Sequence, residues 1–211
     1  IDVFLCQTKP AYLYDLQQCM RILRQKNTLL RKKDKSREEI LKDLEAWNSG
    51  LAQAGARVVI GRNAFVNRLN TAAREVHRKL SGGKEELGLK YKPSVAMNLA
   101  GEPSLEIVQD IMEKALGKAA EREIMLGTTL LGPQKDDIEI CINGINLRTY
   151  GSQGQQRAAA LSMKMAQVDI IREDMGETPV LLLDDVLSEL DQARQDFLLG
   201  SFCEIQTIVT S

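Results

Sequence analysis

The chain has 211 residues, 44% hydrophobic and 27% charged, enough for a globular core, with only 4% aromatics, so Leu, Ile, Val, Ala and Met must carry the packing. No apolar run reaches the about 18 residues of a membrane span, and no signal peptide is visible at Ile1. The net charge of −1 hides a split: residues 1–92 hold 19 Lys and Arg against 10 Asp and Glu, and residues 93–211 hold 9 against 19, a balance of +9 followed by −10. Such asymmetry predicts a nucleic-acid-facing segment joined to something else.

Residues 1–5 read as a strand. Residues 10–33 read as a helix, with Leu13, Leu16, Met20, Leu23 and Leu30 on one face, Thr8 as N-cap and Pro10 in the first turn. A second helix, 36–47, opens on a Ser36–Glu39 capping box and ends at Asn48-Ser49-Gly50. A third, 51–80, aligns Leu51, Ala54, Val58, Phe65, Leu69, Val76 and Leu80, and His77 reads as a partly exposed residue upon it. Leu80-Ser81-Gly82-Gly83-Lys84 has the letters of a phosphate-binding signature, but it follows a helix where such a loop must precede one. It therefore reads as a glycine C-cap. Residues 89–97 read as a strand. Residues 104–126 read as a helix with Leu105, Val108, Ile111 or Met112, Ala115, Ala119 and Ile124 inward. Residues 132–135 form a turn, and 137–142 with 145–150 a hairpin around Asn143-Gly144. Then come a helix (153–173), an apolar strand (180–183), a helix (192–202) and a strand (207–209). Helices dominate up to about residue 126 and α/β alternation follows, so the fold class is α/β with an inserted helical arm. Cys6, Cys19, Cys141 and Cys203 are scattered and read as buried free thiols of a reducing cytosol.

Two motifs carry chemistry. Tyr150-Gly151-Ser152-Gln153-Gly154-Gln155-Gln156-Arg157 is a glycine-containing turn opening a helix, whose free N–H groups and dipole suit a phosphate. Val180-Leu181-Leu182-Leu183-Asp184-Asp185 is an apolar strand ending in carboxylates. Asp184 at its tip suits Mg²⁺ held through water. Asp185 stands where a general base would orient the attacking water, or caps the next turn. Their order and spacing, with Ser188-Glu189-Leu190-Asp191 following, resemble the signature loop and Walker B strand of an ABC-type ATPase head. In that reading Ser152, Gly154 and Gln155 contact ATP bound by an opposite subunit. Ser188 and Asp191 cross the dimer interface as a D-loop, or simply start a helix. The glutamines cannot balance a phosphate's charge, which makes this a second clamp and a poor sole site. Arg157 pairs with phosphate or with a carboxylate such as Asp191. No G-x-x-x-x-G-K-[ST] occurs, so ATP and Mg²⁺ need a Walker A part supplied from upstream, or the half-site has lost its function.

Arg21, Arg24, Lys26, Arg31, Lys32, Lys33, Lys35 and Arg37 crowd together against Asp34 alone, and Arg57, Arg62, Arg68, Arg74, Arg78 and Lys79 against Glu75 alone. Of these, Arg21, Arg24, Arg31, Lys32, Lys33, Arg57, Arg62 and Arg74 are the candidate DNA-binding residues. Without interleaved aromatics, duplex backbone fits better than a single strand.

Tyr12-Leu13-Tyr14-Asp15-Leu16, Arg24-Gln25-Lys26-Asn27, Leu29-Leu30, Gly132-Pro133-Gln134-Lys135-Asp136-Asp137, Ser152 through Arg157, Leu161-Ser162-Met163-Lys164 and Leu181 through Asp191 together resemble the RecF family of recombination mediators over nearly the whole chain. The resemblance implies an ATP-dependent DNA-binding protein of recombinational repair, replication and the SOS response. It would form an ATP-dependent homodimer in the cytoplasm and help load RecA at gapped DNA with RecR and RecO. It also implies a division into the end of the head's N-terminal part (1–8), a helical arm (9–126, basic to residue 92) and the signature and Walker B half of the head (127–211). The family's G-P-H-R-D-D has Gln134 in the histidine position. Thr210 stands on the γ-phosphate side, where no switch histidine is present, and slow hydrolysis is implied. A transporter nucleotide-binding domain or a structural SMC-like head are the alternatives, although the basic excess and the short insert fit them less well.

Overall fold

The structure, a computed structural model, describes residues 1–32, 34–101, 103–184, 195, 200 and 205–210. Two compact units divide it: Ile1–Phe65 with Tyr91–Asp137, and Val66–Lys90 with Ile138–Ser211.

In the first unit the predicted strand at residues 1–5 is instead a helix, α1 (Asp2–Thr8). A helix puts Phe4 and Leu5 on one buried side and leaves Val3 exposed, which period-two alternation cannot do. Phe4 meets Phe65 with ring centroids 4.7 Å apart. Thr8 belongs to α1, its hydroxyl donating to the Phe4 carbonyl, so the N-cap of α2 (Pro10–Leu30) is the extended Lys9. Pro10 takes the first helical position as predicted. The buried stripe of α2 is Tyr12, Cys19, Leu23, Lys26, Leu29 and Leu30, while Leu13 and Met20 are exposed. Tyr12 and Lys26, polar side chains with interior partners, thus join the stripe, while Leu13 and Met20 leave it.

The two helices predicted between residues 36 and 80 are one, α3 (Arg37–Leu80), 44 residues long and shared between the units. Ser36 and Glu39 form the predicted capping box, Ser36 N–H to Glu39 at 2.8 Å and Glu39 N–H to Ser36 Oγ at 3.2 Å. Asn48-Ser49-Gly50 does not break the helix, because Leu44, Leu51 and Ala52 are wholly buried on either side. Packing outweighs the weak helix propensity of three residues. Leu29, Leu30, Ile40, Leu44 and Ala120 form a core cluster with Leu41, Trp47 and Ile124 against it. Helix α4 (Leu105–Leu126) buries Val108, Met112, Leu116, Ala120 and Glu123, and ends at Gly127 in the left-handed conformation. A 3₁₀ turn, Pro133–Lys135, follows.

The second unit begins within α3. That helix stops as predicted, with Gly82 and Gly83 at φ 61 and 77 and the Gly83 N–H bonded to the Arg78 carbonyl at 2.7 Å. Strands β1 (Leu87–Lys92), β2 (Asp137–Ile142) and β3 (Ile145–Asn146) form a sheet in that order, with β2 and β3 antiparallel around Asn143-Gly144, both at positive φ. The hairpin is shorter than predicted. Asn146 accepts the Thr149 N–H and starts a one-turn helix, α5 (Leu147–Tyr150). Then come α6 (Gln153–Met175), β4 (Leu181–Asp184) and β5 (Thr207–Thr210), the two strands parallel. Leu80, Ala158, Leu161 and Leu183 form this unit's core cluster, with Met165 and Leu181 packed on it. The predicted helix at 192–202 lies almost wholly outside the described residues. No helix among the described residues is long and apolar enough to cross a membrane.

Candidate functional site

The turn before α6 is built by a capping box. Ser152 Oγ accepts the Gln155 N–H at 3.2 Å, and Gln155 Oε1 accepts the Ser152 N–H at 3.0 Å. Gln155 Nε2 donates to Glu85 Oε1 at 2.9 Å, and Gln156 Nε2 to the Leu147 and Gly151 carbonyls. Gly151 must be glycine, since a Cβ would lie 2.4 Å from Leu147 Cδ1 and 2.5 Å from its carbonyl oxygen. The sequence reading gave Gln155 a nucleotide contact, but its amide is already engaged on both ends. What the turn leaves for a ligand is the Ser152 hydroxyl hydrogen and the first free N–H groups of the helix, at Gln153 and Gly154. Ser152 is exposed. This is a donor set suited to an anion with no cation in it.

Asp184 and Thr210 are paired at the adjacent ends of β4 and β5, and the Thr210 hydroxyl donates to Asp184 Oδ1 at 2.5 Å. Both are exposed, and the second Asp184 oxygen has no protein donor among the described residues. An exposed carboxylate at a parallel strand end, oriented by a neighbouring hydroxyl, suits a hard cation that keeps most of its waters. Asp185, Ser188 and Asp191 lie outside the described residues.

The first unit holds a polar interior that the sequence reading missed. Arg62 donates to Asp2 through Nε (2.9 Å) and Nη2 (2.7 Å), and to the Pro133 carbonyl through Nη1 (2.5 Å). Tyr12 also donates to Asp2, at 2.6 Å. Asp136 accepts the Ser94 N–H at 2.7 Å and the Tyr91 hydroxyl. Burial works most strongly against the charge of Arg62, but the hydrogen-bonded Asp2 carboxylate and the neighbouring Tyr12 and Tyr91 together outweigh it and hold the guanidinium above its ordinary value. Burial likewise pushes Asp2 up, and the bonds from Arg62 and Tyr12 bring it below 3.8. Arg62 is therefore a structural residue and leaves the DNA-facing set. Lys26, from the first basic run though not among those candidates, is structural too, fully buried 2.7 Å from an equally buried Glu123, its ammonium lowered by burial against the pull of that carboxylate. His77 corrects the reading too. It is wholly buried, with Nδ1 3.0 Å from Ser162 Oγ and Nε2 3.2 Å from Glu85 Oε2. Burial raises the Cys19 thiol to about 11, as suits an inert interior cysteine; Cys6 and Cys141 are half-buried.

Acids near and distant in sequence answer most of the basic run. Lys35 pairs with Asp43, Arg37 with Glu121, Arg68 with Glu173 and Asp174, and Arg78 and Lys79 with Glu75. Arg57 lies 3.8 Å from Asp15, and Arg74 3.2 Å from Glu86. Arg21, Arg24, Arg31 and Lys32 remain, exposed and without an acidic partner among the described residues. Arg31 Nε donates to the Gly127 carbonyl and Arg24 Nε to Met20. Their spacing of 3, 10 and 11 places them on one side of α2 and its end. Lys33 lies outside the described residues.

No family model matches the chain. Curated relatives match along all of it. "DNA replication and repair protein RecF" of Acetivibrio thermocellus is 42% identical over 210 residues, the whole chain and 56% of the relative. The protein of the same name in Bacillus subtilis strain 168 is 41% identical over 212 residues, the whole chain and 57% of the relative. The chain thus spans a little over half the length of these relatives. Two solved structures, described as the recombination mediator protein RecF-ATP and RecF-ATPrS in the RecFOR pathway, superpose on the whole chain with TM-score 0.87 at 31% identity. The chain covers 55% and 56% of them, respectively.

Proposed function

Because the chain belongs to the RecF family and has the fold of its solved members, we propose that it supplies the signature and Walker B half of an ATP-dependent DNA-binding protein of recombinational repair and replication. The Walker A part would come from the rest of a longer, full-length protein. ATP bound there by one subunit would be closed upon by the other subunit's Ser152 hydroxyl and the N–H groups of Gln153 and Gly154. Asp184 would hold Mg²⁺ through water, with Thr210 orienting it from the γ-phosphate side. Asp185 would orient the attacking water, and Ser188 and Asp191 would lie at the dimer interface. The observation that carries this reading is the α6 turn. Its capping box consumes the Ser152 N–H and the Gln155 amide, yet leaves the serine hydroxyl hydrogen and two helical N–H groups open. A donor set without a cation suits a phosphate whose charge is shared by groups elsewhere, which fits a clamp acting across an interface.

DNA would lie along the outer side of α2, on Arg21, Arg24, Arg31 and Lys32, with Lys33 next in sequence. Arg57 and Arg74, each facing a carboxylate, would add little. In this reading the protein works with RecR and RecO in helping to load RecA at gapped DNA, and slow hydrolysis times release. The test is a titration of duplex DNA at several salt concentrations, comparing the full-length protein with the variant Arg21, Arg24, Arg31 and Lys32→Gln. Weaker binding on all sequences is expected, with the slope of log K against log salt flattened by up to about 0.9 for each phosphate no longer neutralised. Equal affinity with parallel slopes would remove α2 from the DNA path.

A further inference from the structure

Glu85 lies between the buried histidine of α3 and the turn that opens α6. One carboxylate oxygen, Oε2, is 3.2 Å from His77 Nε2; the other, Oε1, accepts Gln155 Nε2 at 2.9 Å. The Glu85 side chain is 16% exposed and that of His77 0%. Its backbone is fixed as well, since the Glu85 N–H donates to Ser81 Oγ at the glycine stop of α3.

The hydrogens can be assigned. Ser162 Oγ has one, directed either to the Ala158 carbonyl at 2.8 Å or to His77 Nδ1 at 3.0 Å. If it goes to His77, the ring is the neutral tautomer with its hydrogen on Nε2. If it goes to Ala158, Nδ1 must donate to Ser162, and Nε2 still needs a hydrogen to face a carboxylate, so the ring is imidazolium. Either way the Nε2–H donates to Glu85. An ionised Glu85 can only accept, so Gln155 turns its NH₂ end to Glu85 and its oxygen back to the Ser152 N–H. The Ser152 N–H already calls for the amide oxygen on its side, and Glu85 gives the NH₂ end a matching acceptor, so both ends of the Gln155 amide are held.

We propose that His77 and Glu85 are positioning residues for the signature turn: they anchor the NH₂ end of the Gln155 amide whose oxygen caps the Ser152 N–H, and so hold Ser152 with its hydroxyl free. The functional consequence rests on the trans role proposed above for Ser152. The relay also ties the end of α3 to the nucleotide-facing turn of α6.

The test is a polarity swap in the full-length protein without nucleotide, read by hydrogen exchange of a peptide spanning residues 150–156. Glu85→Gln has a single acceptor for two donors, and Gln155→Glu sets two carboxylates face to face. Each should speed exchange there about tenfold, while peptides from the far end of α6 are unchanged. The double variant restores every hydrogen bond with reversed polarity. Its amide at position 85 accepts from His77 and donates to the carboxylate at position 155, which in turn accepts the Ser152 N–H. It should return exchange to within about threefold of wild type. Unchanged exchange in Glu85→Gln, or a double variant as fast as the faster single, would overturn the relay. In a second arm, Glu85→Gln should weaken ATP-dependent dimerisation about tenfold with monomer ATP affinity unaltered; dimerisation equal to wild type would overturn the functional consequence. A wild type that fails to dimerise at all would sink the trans reading while leaving the exchange result standing.

Discussion

Arg62 and Arg74 look alike in the sequence, two arginines on one helix, yet they have opposite roles. Arg62 donates three short hydrogen bonds into the first unit, and its removal would leave Asp2 and the nearly buried Asp136 uncompensated. Arg62→Met should cost about 3–5 kcal/mol in urea unfolding, whereas Arg74→Ala, half-exposed beside Glu86, should stay within about 0.5 kcal/mol. Similar losses in the two variants would refute the division. Asp2 gives this network an acid limit. Its carboxyl is below 3.8 in the folded chain, so its stabilisation is fully present above that value and is lost as pH falls through the lowered one. Asp2→Asn should flatten stability against pH in that window, and an unchanged acid limb would contradict it. The helix-opening turn at Ser152 and Gly154 and the strand tip at Asp184 were legible because glycine-turn and strand-tip patterns are local. The roles of Arg62, Lys26 and His77 were not, because their partners Asp2, Glu123 and Ser162 are 60, 97 and 85 residues away, and charge in a sequence reads as surface.

Helix α3 shows the same limit for elements. Its capping box and glycine stop were legible because each is a short-range hydrogen-bond pattern. Its continuity through Asn48-Ser49-Gly50 was not, because packing of Leu44 and Leu51 decides it. The three glycines of its first unit make this measurable. A Cβ on Gly50 would meet Ile22 at an ordinary 3.6 Å, but one on Gly55 would lie 2.7 Å from Met112 Cε, and one on Gly61 2.9 Å from the Tyr12 ring. Gly50→Ala should therefore stabilise by about 0.5–1 kcal/mol. Gly61→Ala should destabilise by about 1–3 kcal/mol, since the Tyr12 ring, with its hydroxyl bound to Asp2, cannot move aside cheaply. Destabilisation by Gly50→Ala would mean that the helix is interrupted there. The mis-phased face of α2 has a related cause: Tyr12 and Lys26 occupy the buried stripe through polar partners, Asp2 and Glu123, that lie outside the helix.

At the scale of the whole molecule, the split of +9 and −10 pointed to a basic face, and among the described residues of the two basic runs only those on one side of α2 and its end stay without an acid, because acids from both halves answer the others. The fold class was legible from the change of texture near residue 126. The proposed nucleotide site was legible only as half a site, since no Walker A motif occurs in these 211 residues. The central claim is that Ser152 closes on ATP held by another subunit. It is tested most directly by sedimentation of full-length wild type and Ser152→Arg with Mg²⁺ and a non-hydrolysable ATP analogue, alongside nucleotide binding to the monomer. The substitution also removes an N-cap worth about 1 kcal/mol, which the fold should survive. The account predicts a wild-type dimer, and a Ser152→Arg protein that binds the analogue with affinity within about threefold but stays monomeric, because a long cation would clash across the interface. A Ser152→Arg dimer as stable as the wild type would contradict it.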